Sequence, residues 1–202
     1  HPRVRRQRQM CIRDRIHIVA CGSAYHTGVT AKYVIEGLAR IPVEVDVASE
    51  FRYRDPILQK GNMVIVISQS GETADTLAAL RESKEKGFKV LGIVNVVGSS
   101  IAREADSVMY TWAGPEIAVA TTKAYSAQLT ALYMLAMKFA KVRGTIDQEK
   151  FQSMLTDLRC LPDQIELLLG QKQKIQHFAN RYVGARDIFF CLLYTSDAAD
   201  EL

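Results

Sequence analysis

The chain has 202 residues, of which 48% are hydrophobic and 24% are charged, and its formal net charge is +4. This composition excludes a disordered or fibrous chain, and the length predicts one domain with a sizeable core, or a core with a helical extension. No apolar run approaches the roughly 18 to 20 residues that cross a bilayer, and no signal peptide is recognisable. We therefore expect a cytoplasmic protein with no membrane partner.

The positive charge could indicate a nucleic-acid partner, and the four cysteines could indicate disulfides or a zinc site. The distribution of these residues along the sequence argues against each of these. Six arginines lie in residues 1–15, and the chain without residues 1–15 and 191–202 keeps 20 basic and 18 acidic side chains, a formal charge of +2. A nucleic-acid partner is therefore not expected. The cysteines are scattered and form no CxxC pair, which argues against disulfides and zinc. We expect reduced thiols, no metal and no cofactor.

From Ile16 onward, short apolar runs alternate with longer amphipathic segments, a pattern typical of βαβ units around a parallel sheet. The pattern predicts strands over 16–21, 43–49, 63–67, 88–96 and 108–112. It predicts helices over 24–40, 72–86, 98–107 and 122–142, one or two more within 147–182, and a new strand over 185–190. The predicted fold is α/β: a doubly wound parallel sheet between layers of helices, followed by linking helices.

The segment SQSGETADT (68–76) joins a predicted strand to a predicted helix. Its hydroxyls and the N–H groups of the helix start suit a phosphate dianion, and Gly71 allows the backbone to approach an anion closely. The alternative is that these residues merely cap the helix. A second hydroxyl-bearing loop, CGSAY (21–25), follows the first strand, and ligands collect where strands of open α/β sheets end. Two such loops favour a ligand site, and the absence of GxGxxG and GxxxxGKS/T disfavours a nucleotide.

Five motifs carry a resemblance to a known family: ACGSAYHTG, ASEFRYRDP, ISQSGETADTLAAL, GSSIAREAD and EIAVATTKAYSAQL. Over about residues 16–190 the chain resembles the first sugar-isomerase (SIS) domain of the glutamine:fructose-6-phosphate aminotransferases, a flavodoxin-like three-layer αβα domain. The resemblance implies a first SIS domain at 16–142, a helical connection at 143–184 and the start of a truncated second SIS domain at 185–190.

Enzymes of that family make glucosamine 6-phosphate for amino-sugar biosynthesis. A glutaminase domain releases ammonia, and paired SIS domains convert fructose 6-phosphate. The resemblance implies that this chain binds fructose 6-phosphate or glucosamine 6-phosphate without a cofactor, and that the full-length protein is a homodimer. Carried over by motif, the residues that would hold the phosphate or line the sugar site are Ser23, Ser68, Gln69, Ser70, Thr73, Val119 and Thr121.

Departures from the family pattern limit this expectation. Ala24 stands where many members carry a serine, so one hydrogen bond to the phosphate is missing. The family's Schiff-base lysine, isomerisation base and ring-opening histidine belong to its second SIS domain and C-terminal tail, so we expect this part of the enzyme to bind without turnover. Two other functions remain open: a SIS-domain sugar-phosphate sensor or regulator, and a stand-alone sugar-phosphate isomerase or deglycase.

Several other side chains are weaker candidates. Lys123 could act as a Schiff-base lysine, but we favour a solvated lysine. His26 could act as a general base, but we favour a histidine on a helix face whose hydrogen bonds are already satisfied. For Phe51, Tyr53 and Trp112 we expect packing in the core.

The two ends of the chain do not match the regular sequence between them. One frame of a transposon-end adaptor used for sequencing libraries reads RRQRQMCIRD, and its complementary strand reads CLLYTSDAAD; these are residues 5–14 and 191–200. We therefore expect residues 1–15 and 191–202 to derive from the adaptor.

Overall fold

The computed structural model describes residues 15–58, 61–117, 121 and 123–187. Strands and helices alternate as the apolar pattern predicts. The strands are β1 Ile16–Ala20, β2 Val43–Val47, β3 Met63–Ser68, β4 Lys89–Val94 and β5 Ser107–Tyr110. The helices are α1 Gly22–Ala39, α2 Ala48–Tyr53, α3 Ala74–Glu85, α4 Ser100–Glu104, α5 Lys123–Arg143, α6 Gln148–Leu169 and α7 Lys172–Asn180.

The five strands form one parallel sheet in the order β2-β1-β3-β4-β5. Ile18 of β1 pairs with Val45 of β2 on one side and with Ile65 of β3 on the other. This is the flavodoxin-like order, in which the progression of the chain across the sheet reverses between β1 and β3. The prediction of a doubly wound parallel α/β fold is confirmed.

Helices cover both faces of the sheet because the strands are apolar on both sides. Ile18 and Ile65 pack in one buried cluster with α1 and α5. Val19 and Val66 point the other way and pack in a second buried cluster with α2, α3 and α4. All four of these strand side chains are fully buried. The result is the predicted three-layer arrangement.

One helix was not predicted. The second strand ends at Val47 instead of continuing to residue 49, and α2 follows at once. Phe51 on this helix is fully buried against the sheet, so the expectation of core packing is confirmed for it. The same expectation is wrong for Tyr53 and Trp112, which are 78% and 75% exposed.

Contacts divide the chain into a unit that ends at Met154 and a second unit that begins at Leu155. The second unit contains the later part of α6 and all of α7, and none of its described residues is buried. Residues 185–187 lie outside any helix or strand, and the rest of the predicted strand 185–190 falls outside the described residues. The predicted domain bounds stay a prediction. No helix in the described part of the chain is both long and apolar enough to span a membrane.

Candidate functional site

A pocket of about 270 Å³ lies where β1 and β3 end. Because α1 follows β1 onto one face of the sheet and α3 follows β3 onto the other, the two connections diverge and leave a crevice between them. The volume is slightly below the range of about 300–1,000 Å³ that is usual for small-molecule sites. Twelve described residues line the pocket: Cys21, Ser23, Ala24, Ile67, Ser68, Gln69, Ser70, Thr73, Glu116, Thr121, Ala124 and Gln128.

Six of the seven site residues predicted from the sequence meet in this pocket. They are Ser23, Ser68, Gln69, Ser70, Thr73 and Thr121. The seventh, Val119, lies outside the described residues. Ala24 also lines the pocket, so this position offers no side-chain hydroxyl to a ligand there.

Residues 68–71, which we call the SQSG loop, are held by their own hydroxyl groups. Ser68 is almost fully buried, and its Oγ accepts a hydrogen bond from the Gly71 N–H at 3.0 Å and lies 2.9 Å from Oγ1 of Thr73. Oγ of Ser70 accepts a hydrogen bond from the N–H of Glu72 at 3.2 Å. The loop therefore has a defined conformation, in which its two serines line the pocket together with Thr73, the residue that precedes α3.

Two helices begin at the pocket without a side-chain cap. The N-cap residues are Cys21 for α1 and Thr73 for α3, and neither side chain makes a capping hydrogen bond. The first-turn N–H groups and the partial positive charge of each helix start therefore remain available to an anion. This geometry counts against the alternative that the hydroxyl residues merely cap the helix. None of the twelve lining residues is a lysine or an arginine.

The conformation of the SQSG loop requires glycine at position 71. Gly71 has φ of +70°, and a Cβ atom at this position would lie 2.1 Å from Oγ of the buried Ser99. The carbonyl of Gly71 also accepts a hydrogen bond from the N–H of Ile101 at 3.0 Å. The loop thus packs directly against the segment that starts α4.

The carboxylate beside the SQSG loop is held in its charged form. Oε1 of Glu72 accepts a hydrogen bond from the N–H of Ser100 at 2.7 Å. This hydrogen bond is the main reason why the pKa of Glu72 lies below its usual value. Glu72 therefore tethers the loop to the start of α4, and its side chain does not line the pocket.

Glu116 is the one carboxylate among the described lining residues, and it was not predicted as a site residue from the sequence. Its Oε2 accepts hydrogen bonds from Oγ1 of Thr121 at 3.0 Å and from the N–H of Ala124 at 3.2 Å. Ala124 lies in the first turn of α5, so the carboxylate satisfies a helix-start donor. The sequence did contain one signal for this residue, because an acidic side chain shortly before a predicted helix often accepts hydrogen bonds from the helix start.

Asn95, which follows β4, joins the SQSG loop to the segment after β5. Its backbone N–H donates to the carbonyl of Gln69 at 3.1 Å. Its side-chain oxygen accepts from Oγ1 of Thr111 at 3.1 Å and from the N–H of Ala113 at 2.8 Å, and its amide nitrogen donates to the carbonyl of Gly114 at 2.7 Å. The segment after β5 is therefore fixed relative to the SQSG loop.

The weaker candidates for catalysis are not part of the pocket. Lys123 and His26 are exposed and do not line it. Cys21 does line it, with its sulfur 3.9 Å from Oγ1 of Thr76. In the described part of the chain no group of three or more His, Cys, Asp or Glu side chains is arranged to hold a metal ion.

Comparison with known proteins identifies the family. A family model described as the SIS domain matches residues 10–138. The chain is 59% identical over 177 residues to a glutamine–fructose-6-phosphate aminotransferase (isomerizing) of Caldanaerobacter subterraneus subsp. tengcongensis, a match that covers 88% of this chain and 29% of that protein. It is 49% identical over 177 residues to a protein of the same name from Thermus thermophilus, again covering 88% of this chain and 29% of that protein. The chain thus spans less than a third of the length of these curated relatives.

Solved structures show the same similarity. The C-terminal domain of glucosamine-fructose-6-phosphate aminotransferase from Francisella tularensis matches with a TM-score of 0.81 and 39% identity, covering 84% of this chain and 48% of that one. The resemblance seen in the five motifs is confirmed, because the family model alone covers more than half of the chain. The chain belongs to the SIS domain family.

Proposed function

We propose that the pocket binds the phosphate of fructose 6-phosphate or glucosamine 6-phosphate, as the sugar-phosphate-binding part of a glutamine:fructose-6-phosphate aminotransferase. One observation carries the proposal: the hydroxyls of Ser68, Ser70 and Thr73 meet two uncapped helix starts in one pocket. Hydroxyl and backbone donors can bind a dianion without a full positive charge, which favours reversible binding. The 59% identity to an enzyme of this name supports the choice of ligand.

The pocket suits binding better than turnover. Transfer of an amino group to a sugar carbonyl and isomerisation of the sugar need an amine or lysine and a general base near the reacting carbons. None of the twelve lining residues is a lysine or a histidine, and the carboxylate of Glu116 already accepts two hydrogen bonds. We therefore propose that this part of the enzyme holds the sugar phosphate while other parts supply the chemistry.

The alternatives use the same fold but are less similar in sequence. A glucosamine-6-phosphate deaminase from Thermotoga maritima matches with a TM-score of 0.63 and 26% identity, covering 77% of this chain and 46% of that one. The larger identity to aminotransferases favours a glutamine:fructose-6-phosphate aminotransferase over a stand-alone isomerase, deglycase or sensor. We extend the proposal to a cytoplasmic location and, as the resemblance implies, to a homodimer of the full-length protein.

Isothermal titration calorimetry of the 202-residue chain with fructose 6-phosphate tests the proposal. We expect binding by the wild type and about tenfold or greater loss of affinity in Thr73→Val, which removes one hydroxyl from the pocket. Thr130→Val is the matched control, because Thr130 lies on α5 outside the pocket and donates only to the Ser126 carbonyl. Absence of binding by folded wild type at millimolar ligand would refute the proposal.

A further inference from the structure

Gln128 is a buried polar residue that the packing of the protein does not explain. It lies on α5 and is 3% exposed, between Ala124 one turn before it and Leu132 one turn after it, both of which are buried. Within the described residues no hydrogen bond of its side-chain amide is found, and the amide is not among the fully enclosed polar atoms that lack a partner, so it faces the open space of the pocket. A primary amide offers two donors and an acceptor, so these groups are available to a ligand in the pocket.

Gln128 lines the same pocket as the SQSG loop, but on a different wall. The hydroxyls of Ser68 and Thr73 come from the β3–α3 connection, whereas Ala124 and Gln128 come from the first two turns of α5. The wall that α5 provides carries the amide of Gln128, and the carboxylate of Glu116 is hydrogen-bonded to the start of the same helix through the N–H of Ala124. A carboxylate repels a phosphate dianion, while an amide and a carboxylate both suit hydroxyl groups, which donate and accept hydrogen bonds. The two walls thus differ in the chemistry that they can recognise.

The volume agrees with a ligand that reaches both walls. A pocket of about 270 Å³ is larger than a phosphate group alone would fill. Oε2 of Glu116 accepts hydrogen bonds from Thr121 and Ala124, whereas no hydrogen bond of the Gln128 amide is found in the described part of the chain. Of these two polar groups, the amide is therefore the one that is available to a ligand.

We propose that Gln128 is a sugar-recognition residue, whose amide forms a hydrogen bond with a hydroxyl or carbonyl oxygen on the carbon chain of the bound hexose phosphate. The proposal rests on the proposed function, because it takes a sugar phosphate as the ligand. It adds that the pocket distinguishes a hexose phosphate from phosphate alone, and it assigns that selectivity to one side chain.

The test compares two ligands and two proteins. Wild type and Gln128→Leu, which has a similar volume without the amide, are titrated with fructose 6-phosphate and with inorganic phosphate by calorimetry. We expect the variant to bind fructose 6-phosphate about five- to thirtyfold more weakly, the effect of losing one buried hydrogen bond, and to bind inorganic phosphate as the wild type does. We also expect its urea midpoint to be equal to or higher than that of the wild type, because the substitution removes no hydrogen bond within the described residues and adds apolar surface to a buried position.

Other results would overturn the inference. An equal loss for both ligands, or a lowered urea midpoint, would show that Gln128 only maintains the shape of the pocket. Unchanged affinity for fructose 6-phosphate would show that the amide does not contact the sugar. Gln128→Met, an unbranched side chain of similar length, repeats the comparison if the leucine variant does not fold. Wild type that binds phosphate and hexose phosphate equally refutes this inference alone, whereas wild type that binds neither refutes the proposed function.

Discussion

The side-chain oxygens of Ser68 and Thr73 lie 2.9 Å apart, and the same Ser68 hydroxyl accepts the N–H of Gly71. A single buried oxygen therefore fixes the turn of the SQSG loop and orients a second hydroxyl that lines the pocket. Ser68 should therefore contribute to both stability and ligand binding, whereas Thr73 should contribute mainly to ligand binding.

Ser68→Ala should reduce both stability and binding. It leaves the Gly71 N–H without its acceptor at a position that is only 2% exposed, so we expect the free energy of unfolding to fall by about 1–3 kcal/mol. Thr73→Val keeps that hydrogen bond and should weaken the binding of fructose 6-phosphate with a smaller loss of stability. Urea unfolding of both variants measures the difference. Equal destabilisation by the two substitutions would contradict the assignment.

Gly71→Ala should destabilise the protein more than the same substitution at Gly98. Both glycines have positive φ, +70° and +73°, and each would suffer the cost of about 1–2 kcal/mol of placing alanine there. A Cβ at Gly98 meets no atom within 4 Å, whereas one at Gly71 would overlap Ser99. We expect this overlap to lower the free energy of unfolding of Gly71→Ala by about 1–3 kcal/mol more than that of Gly98→Ala.

The urea midpoints of the two glycine variants provide the measurement. The double variant with Gly71→Ala and Ser99→Gly should regain part of the loss, because it removes the overlapping side chain and leaves the backbone strain. If Gly71→Ala and Gly98→Ala had equal urea midpoints, the close contact with Ser99 would not contribute to the destabilisation by Gly71→Ala.

Stability should fall in mildly acidic solution because of His17. The ring is fully buried; its Nε2 lies 3.2 Å from Nδ2 of Asn62, and its Nδ1 lies 3.2 Å from Oε2 of Glu44 without the geometry of a hydrogen bond. Burial lowers the pKa of His17 below 6.5, and the charges of Glu44 and Asp46 oppose this shift only in part. The unfolded chain therefore binds the proton more readily. The stabilisation is complete above about pH 6.5 and is lost as the pH falls from there through the folded-state pKa.

Urea unfolding between about pH 8 and about pH 5 measures this effect, since carboxylates titrate mainly below that window. His17→Gln removes the titrating group and should flatten the dependence on pH. A wild-type curve that is already flat across the window would show that the ring is protonated equally in the folded and unfolded states.

The exposed apolar side chains of α6 and α7 should cause self-association. Leu161, Ile165 and Leu168 are spaced along one side of α6, and Ile175 and Phe178 lie on α7; all five are exposed. We expect sedimentation velocity to show oligomers that become more abundant with concentration. Ile165→Lys combined with Phe178→Lys should shift the chain toward monomer.

The control for this substitution is Gln173→Lys, which adds positive charge at an exposed polar position of α7. It should leave the distribution of oligomers nearly unchanged. A wild-type chain that remains monomeric at high concentration would contradict the prediction.

The sheet and the SQSG loop could be predicted because their signals are local. Runs such as IHIVA and MVIVIS are apolar on both strand faces, and the hydroxyl-rich loop follows one of them directly. Helix α2 gave no such signal: its N-cap residue is Val47, and the alternating pattern of β2 leads into it without a break. The burial of Phe51 against the sheet is a tertiary contact, which no local pattern reveals.

Two residues of the second wall, Glu116 and Gln128, were not predicted for a similar reason. Glu116 and Gln128 are far from the SQSG loop in sequence and reach it only because α5 packs on the same face of the sheet as α1. A partial signal existed for Gln128, since it is an uncharged polar residue between Ala124 and Leu132 on a helix stripe that is otherwise apolar. Periodicity alone treats such a residue as an interruption of the core.

The hydrogen bonds of Asn95 have a thermodynamic consequence for the site. They connect the SQSG loop with the segment after β5 entirely through groups of the protein itself. The entropy lost in ordering these segments is therefore part of the free energy of folding, and it does not weaken the binding of a ligand. For this part of the site, recognition begins from a preorganised receptor.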